Sequence, residues 1–150
     1  MDRMAERREL TFAHLDDVLA EVERLLARHE TVGQWSLGQI CNHLAIGVRL
    51  SIEVPPDPSV PPVPEAIRQR FFRAGRFPDG RQVPHPLLLP APGLDARTEA
   101  NALRAALARF AASDGPFSIH PRLGTLSKDE WDLFHRMHCA HHLGFAVPLP

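Results

Sequence analysis

The chain has 150 residues, and its 17 lysines and arginines against 18 aspartates and glutamates give a formal net charge of −1. This length fits one domain with a buried core, and the near-neutral charge argues against a basic nucleic-acid-binding protein. Two cysteines are too few for a disulfide scaffold, and we find neither a secretory signal nor an apolar run of membrane-spanning length. We therefore expect one cytoplasmic domain over residues 1–150, with no nucleic-acid or membrane partner.

The first two predicted helices cover about residues 12–29 and 37–52. In both segments the apolar residues recur with the helical period. We expect Thr11 to be the N-cap of the first helix, and Ser36 and Gln39 to form a capping box at the start of the second.

Prolines dominate the middle of the chain, where 11 of the 15 lie between Pro55 and Pro92. Proline disrupts helix interiors, so we predict an irregular insertion over about 54–94 with one short helix at about 64–74. Long irregular segments are often functional lids, which makes this one a candidate for selecting the substrate. It carries a basic cluster that would either meet an anionic substrate or form a solvated face: Arg68, Arg70, Arg73, Arg76 and Arg81.

Two further helices are predicted at about 96–112 and 128–146. Ser127 and Glu130 form a second capping box at the start of the last helix. No segment alternates apolar and polar residues over strand length, so we predict no strand. Four amphipathic helices, with a long proline-rich crossover between helices two and three, predict an all-α four-helix bundle.

The last helix carries two histidines in the middle of its core-facing stripe. At about 100 degrees per residue, His138 and His142 point the same way as Trp131. Buried imidazoles need polar partners, and two histidines four positions apart can bind one metal ion. A solvated helix face is the alternative. The candidates for a third ligand are His43, His85, His120, His135, His141, Cys41 and Cys139, and packing of facing helices favours His43.

Other residues near this pair have competing interpretations. His141 and His135 flank it and are the candidates for a general acid or base, although His135 could instead support a ligand from behind or lie on the surface. His120 either folds over the site or orders its own loop. We expect Trp35 and Trp131 in the core rather than on a substrate surface, and both cysteines as small buried apolar residues.

The segments WSLGQICNHLA (35–45) and EWDLFHRMHCAHHLGF (130–145) resemble the DinB-like (YfiT-type) superfamily of bacterial proteins. The whole chain most resembles a branch of unknown function that has a proline-rich middle and an HPxxGxLSxxEW pattern, here 120–131, before the last helix. The resemblance implies a four-helix bundle, commonly dimeric. It also implies a divalent metal ion bound by His43, His138 and His142.

Three histidine ligands leave an open coordination position, which is typical of a catalytic metal site, and imidazole ligands suit zinc, nickel or iron. The superfamily includes enzymes that use low-molecular-weight thiols. The resemblance therefore implies a metal-dependent enzyme on a small molecule, catalysing either thiol-dependent transfer or isomerisation, or hydrolysis. Phe145 stands where the superfamily often has Gln, which removes a polar group near the site.

Two other functions stay open. One is a non-catalytic helical module in which the metal or the histidines serve structure or dimerisation. The other is a DNA-associated stress protein, against which the near-neutral charge argues.

Overall fold

The structure is a computed structural model that describes residues 6–78 and 86–150. These residues are mostly helical, as predicted, and also contain a short two-stranded sheet that was not predicted. In chain order the elements are α1 (Leu15–Ala27), β1 (His29–Thr31), α2 (Leu37–Glu53), α3 (Glu65–Ala74), a 3-10 turn (Pro86–Leu88), α4 (Ala96–Ala112), α5 (Lys128–Leu143) and β2 (Ala146–Pro148). None of the described helices is long and apolar enough to cross a membrane.

Both predicted capping boxes are confirmed. The Gln39 N–H donates to Ser36 Oγ at 3.2 Å, and the Ser36 N–H donates back to the Gln39 side chain at 2.9 Å. Ser127 and Glu130 make the same reciprocal bonds at 3.1 and 3.0 Å. These bonds satisfy backbone donors that have no partner inside a helix, and they fix where α2 and α5 begin.

The predicted ends of the first and last helices are wrong. His14, not Thr11, is the N-cap of α1, because the Asp17 carboxylate accepts from the His14 N–H at 3.0 Å. Helix α1 ends at Ala27 and helix α5 ends at Leu143, since the residues after each helix turn extended to form β1 and β2. Residues that were predicted to continue the two helices therefore form the sheet instead.

Helices α1 and α2 each pack against both α4 and α5, and the α2–α4 contact is the most extensive. Asn42 near the start of α2 donates to Glu99 near the start of α4 at 3.1 Å, and Arg109 near the end of α4 donates to Glu53 at the end of α2 at 2.7 Å. The two helices therefore run parallel, which requires a long connection between them. The largest residues of the shared core are almost fully buried: Leu25, Leu44, Leu103, Phe110 and Leu143.

The antiparallel sheet ties the end of α1 to the end of α5. Glu30 lies opposite Val147, and beyond the sheet the Val32 N–H donates to the Phe145 carbonyl oxygen at 2.7 Å. The loop between β1 and α2 is thereby held against the C-terminal end of α5.

The N-terminal segment also packs against the end of α5. The Arg8 N–H donates to the Gly144 carbonyl oxygen at 2.8 Å, and the Arg8 side chain pairs with Glu21 at 2.6 Å. A Cβ atom at Gly144 would overlap the carbonyl oxygen of Arg8, so this close approach requires glycine.

We expect Gly144→Ala to lower the free energy of unfolding by about 1–3 kcal/mol, because two backbone segments must move apart. Glu53→Ala removes ion pairs with both Arg49 and Arg109, yet exposed pairs contribute less than about 1 kcal/mol. Gly144→Ala should therefore be the more destabilising of the two variants, and urea unfolding of both measures the difference. A larger loss for Glu53→Ala than for Gly144→Ala would contradict it.

Candidate metal centre

Three histidines from two helices meet inside the protein. His43 comes from α2, while His138 and His142 lie one turn apart on α5, and their ligand nitrogens all lie within 4.8 Å of one another. The Nε2 atoms of His43 and His138 are 2.9 Å apart. His43 and His138 are buried and His142 is partly buried. This cluster is compatible with a bound metal ion.

The proline-rich segment fixes the tautomer of His43. His43 Nδ1 lies 2.8 Å from the carbonyl oxygen of Leu88 in the 3-10 turn. A carbonyl oxygen can only accept, so Nδ1 carries the proton and Nε2 presents a lone pair toward His138. Metal-binding histidines are commonly oriented by such a bond from the ring nitrogen that is not bound to the metal.

Burial keeps the cluster neutral. Desolvation lowers the pKa of His43 and, together with the neighbouring histidines, lowers the pKa of His138 well below its ordinary value. Desolvation is also the main cause that lowers the pKa of His142 to about 2, with His43, His141 and Arg7 adding to it. The three imidazoles are therefore in the neutral form that binds metal ions.

Aromatic rings flank the cluster on two sides. The Trp35 ring is stacked on His142, with centroids 5.6 Å apart, and lies 5.0 Å from the His43 ring. The Phe77 ring is stacked on His138 at 5.0 Å. Trp131 is in the core, as expected, whereas Trp35 is only half-buried and also lines a pocket. Trp35 packs against the core from this half-buried position, and whether it also contacts a substrate stays a prediction.

Two residues that sequence reasoning missed also shape the cluster. Leu88 acts through its backbone oxygen, which no side-chain pattern reveals. Gly47 on α2 faces the His138 ring, and a Cβ atom there would lie 3.2 Å from His138 Cε1. Glycine in the middle of a predicted helix was the available signal for such a close approach.

His141 lies beside the cluster, with its ring centroid 4.8 Å from that of His142. Arg7 Nη2 donates to His141 Nδ1 at 2.8 Å, so the proton of the neutral ring is on Nε2. Nδ1 is therefore occupied as an acceptor. A catalytic role for His141 stays a prediction.

His135 lies one turn before His138, fully buried in the core. The Ser51 hydroxyl donates to the Val48 carbonyl oxygen at 2.6 Å, so Ser51 Oγ accepts from His135 Nε2 at 3.0 Å. Nδ1 of His135 has no hydrogen-bond partner among the described residues. Burial lowers the pKa of His135 to about 3. Its catalytic role remains a prediction that this position does not support.

The other ligand candidates lie outside the cluster. His120 Nδ1 accepts from the backbone N–H groups of Arg122 and Leu123, both at 3.1 Å, so His120 orders its loop. Cys41 and Cys139 are buried, and burial raises the pKa of the Cys41 thiol to about 12 and that of Cys139 further still. His85 lies outside the described residues.

The basic cluster of the insertion contains ion pairs. Arg68 lies 3.1 Å from the Glu130 carboxylate, and Arg76 lies 3.3 Å from Glu9. No residue of helix α3 is fully buried. Arg81 lies outside the described residues. For Arg68 and Arg76, pairing on the surface fits the solvated-face interpretation better than an anion site.

A pocket of about 230 Å³, which we name the His142 pocket, adjoins the cluster; it is lined by 32–35, Ile40, His142 and Phe145. A second cavity of about 180 Å³ lies on the far side of His141, between the N-terminal segment and residues 74–77. The histidine that lines the His142 pocket is the least buried of the cluster.

A family model described as "Protein of unknown function (DUF1569)" matches residues 4–149. The chain belongs to the DUF1569 family. No curated protein and no solved structure matches it. Because the family description gives no activity, the function of this DUF1569 protein has to be inferred from its site.

The buried His135 predicts acid sensitivity in this DUF1569 protein. Between the ordinary pKa of 6.5 and the native value of about 3, the unfolded state binds more protons at His135 than the native state. Stability should therefore fall as pH falls through this window, with a slope of up to about 1.4 kcal/mol per pH unit from this residue.

His135→Leu should make this pH dependence shallower. Urea unfolding of the metal-free protein at several pH values between 7.5 and 4.5 measures it, with exposed His14→Asn as the control. An unchanged slope in His135→Leu would show that His135 is not the source.

Proposed function

We propose that this protein is a metal-dependent enzyme of the DinB-like superfamily that acts on a small molecule. His43, His138 and His142 hold a divalent ion with one coordination position open to substrate. One observation carries the proposal. Three neutral imidazoles from two helices converge on one point, and the Leu88 carbonyl turns the lone pair of His43 toward His138.

The donor set fits a metal ion. Nitrogen ligands at 2.0–2.1 Å from a tetrahedral ion lie about 3.3 Å from one another. The Nε2 atoms of His43 and His138 are 2.9 Å apart, and the ligand atoms of all three histidines lie within 4.8 Å of one another. Three neutral nitrogens suit zinc, nickel or iron. Without an ion, a proton on His138 Nε2 would satisfy His43 Nε2 at 2.9 Å, and His142 would take no part in that bond.

The residues around the cluster have separable roles. When bound, the ion supplies a Lewis acid that lowers the pKa of a coordinated water or thiol. Leu88 and Trp35 orient His43 and His142, and Phe77 covers His138 from solvent. His141 lies beside His142, and its Nδ1 accepts from Arg7. This arrangement supports either thiol-dependent transfer or isomerisation, or hydrolysis.

The helix packing supports the four-helix-bundle part of the proposal. Helices α1 and α2 each contact both α4 and α5, and the long crossover between α2 and α4 agrees with the parallel direction of these helices. A cytoplasmic homodimer completes the proposal. The assembly rests on the resemblance, and the compartment on two buried free cysteines.

A structural role for the metal is the second candidate. The three histidines join α2 to α5, so an ion bound there would also link two helices and stabilise the fold. His43→Ala separates the candidates. A folded, metal-free variant supports an open catalytic site, whereas a variant that unfolds on losing metal supports a structural ion.

We expect untagged wild-type protein to hold close to one equivalent of a divalent metal, and His138→Ala to lose it, because two imidazoles bind much more weakly than three. Mass spectrometry of the metal content tests this, with His14→Asn as a matched surface control. A wild-type protein that refuses zinc, nickel and iron would contradict the proposal.

Gly47→Ala should separate stability from metal affinity. Alanine favours the helix by up to about 1 kcal/mol, but its Cβ atom would press on the His138 ring. We expect metal affinity to fall about tenfold, the size seen when residues that orient a ligand are changed. Competition with a chelating dye measures the affinity, with exposed Arg49→Ala on the same helix as control. Unchanged affinity would refute the positioning role of Gly47.

A further inference from the structure

We propose that the His142 pocket binds the apolar part of the substrate. The substrate is then a small molecule with a metal-coordinating head and an aromatic or aliphatic body that lies between Trp35 and Phe145. This inference deepens the proposed function and rests on it, since it names the class of substrate that reaches the three histidines.

Among residues 6–78 and 86–150, packing covers the His43 and His138 sides of the cluster, and a pocket adjoins the His142 side. On the His43 side, the 3-10 turn carrying Leu88 closes the approach. On the His138 side, the Phe77 ring is stacked on the imidazole at 5.0 Å. His142 is the least buried of the three histidines and the one that lines the pocket. A small molecule therefore approaches the cluster along His142.

The pocket is apolar and large enough for a ring. Besides His142, its side chains are those of Val32, Trp35, Ile40 and Phe145, and Gln34 supplies the one amide. Its volume of about 230 Å³ exceeds the roughly 150 Å³ of an engineered apolar cavity that binds benzene. Ligand sites typically combine such apolar walls with a few polar groups at defined positions.

The walls are held in place by the backbone. The Val32 N–H donates to the Phe145 carbonyl oxygen at 2.7 Å, and the adjoining strands β1 and β2 pair through Thr31 and Ala146. The Arg7 guanidinium lies 4.6 Å from the centroid of the Phe145 ring. The pocket is therefore formed before any ligand binds.

The second cavity suits a different ligand. Its walls include Arg7, Arg8, Glu9 and Arg76, so an apolar body would have to desolvate charged groups there. The apolar body of the substrate is therefore assigned to the His142 pocket, and the charged second cavity serves as an internal control for binding elsewhere.

The test compares 4-phenylimidazole with imidazole, which share a coordinating nitrogen and differ by one phenyl ring. The visible spectrum of the cobalt-substituted protein reports coordination at the cluster. Nitrogen-15 NMR of the metal-free protein reports where the phenyl ring lies, through the amide signals of residues 32–35 and 74–77.

We expect 4-phenylimidazole to bind the cobalt protein at least about tenfold more tightly than imidazole and to shift the signals of 32–35. Phe145→Gln should remove most of this preference. Val32→Thr keeps the size of the side chain and should also reduce the preference for 4-phenylimidazole. This second variant keeps the test valid if Phe145→Gln fails to fold. Arg76→Ala, in the second cavity, should keep it.

The outcomes separate the two claims. Equal affinities for both probes, or NMR shifts confined to 74–77, would overturn the pocket assignment even if cobalt binds. Shifts at 32–35 without cobalt binding would support the pocket and refute the proposed metal function. Neither cobalt binding nor NMR shifts would refute both.

Discussion

The hydrogen bond from His43 Nδ1 to the Leu88 carbonyl oxygen, 2.8 Å long, determines what the cluster can do. It fixes the proton on one nitrogen of a buried imidazole and leaves the other as a lone pair aimed at His138. The proline-rich segment therefore has a structural role, because its 3-10 turn carries Leu88 and covers one side of the cluster. The insertion thus orients a ligand candidate through its backbone.

Much of the fold could be predicted because the patterns that form a helix lie within one short stretch of sequence. The capping boxes at Ser36 and Ser127 correctly predicted where α2 and α5 begin. Helix α4 begins and ends at the residues predicted from the periodicity of its apolar side chains. The strands β1 and β2 could not be predicted. They contain three residues each and exist through pairing between distant parts of the chain, so three-residue patterns carry no signal for them. The same pairing shortened α1 and α5.

The candidate site was predictable to the extent that it depends on helical geometry. His138 and His142 share a face because of their spacing, but the position of His43 relative to them depends on how α2 packs on α5, and the resemblance rather than the period supplied it. Gly47 acts through the absence of a side chain and Leu88 through a carbonyl oxygen. Neither contribution is visible until the helices and the insertion are placed together.

X-ray absorption spectroscopy of the zinc-loaded protein is the sharpest test of the three-histidine site, because it counts and identifies the atoms bound to the metal. We expect three imidazole nitrogens at about 2.0–2.1 Å and one further light-atom ligand from solvent. The Leu88 bond predicts in addition that His43 is bound through Nε2. A spectrum with fewer than three imidazoles, or with a sulfur ligand from Cys41 or Cys139, would show that His43, His138 and His142 do not form the metal site.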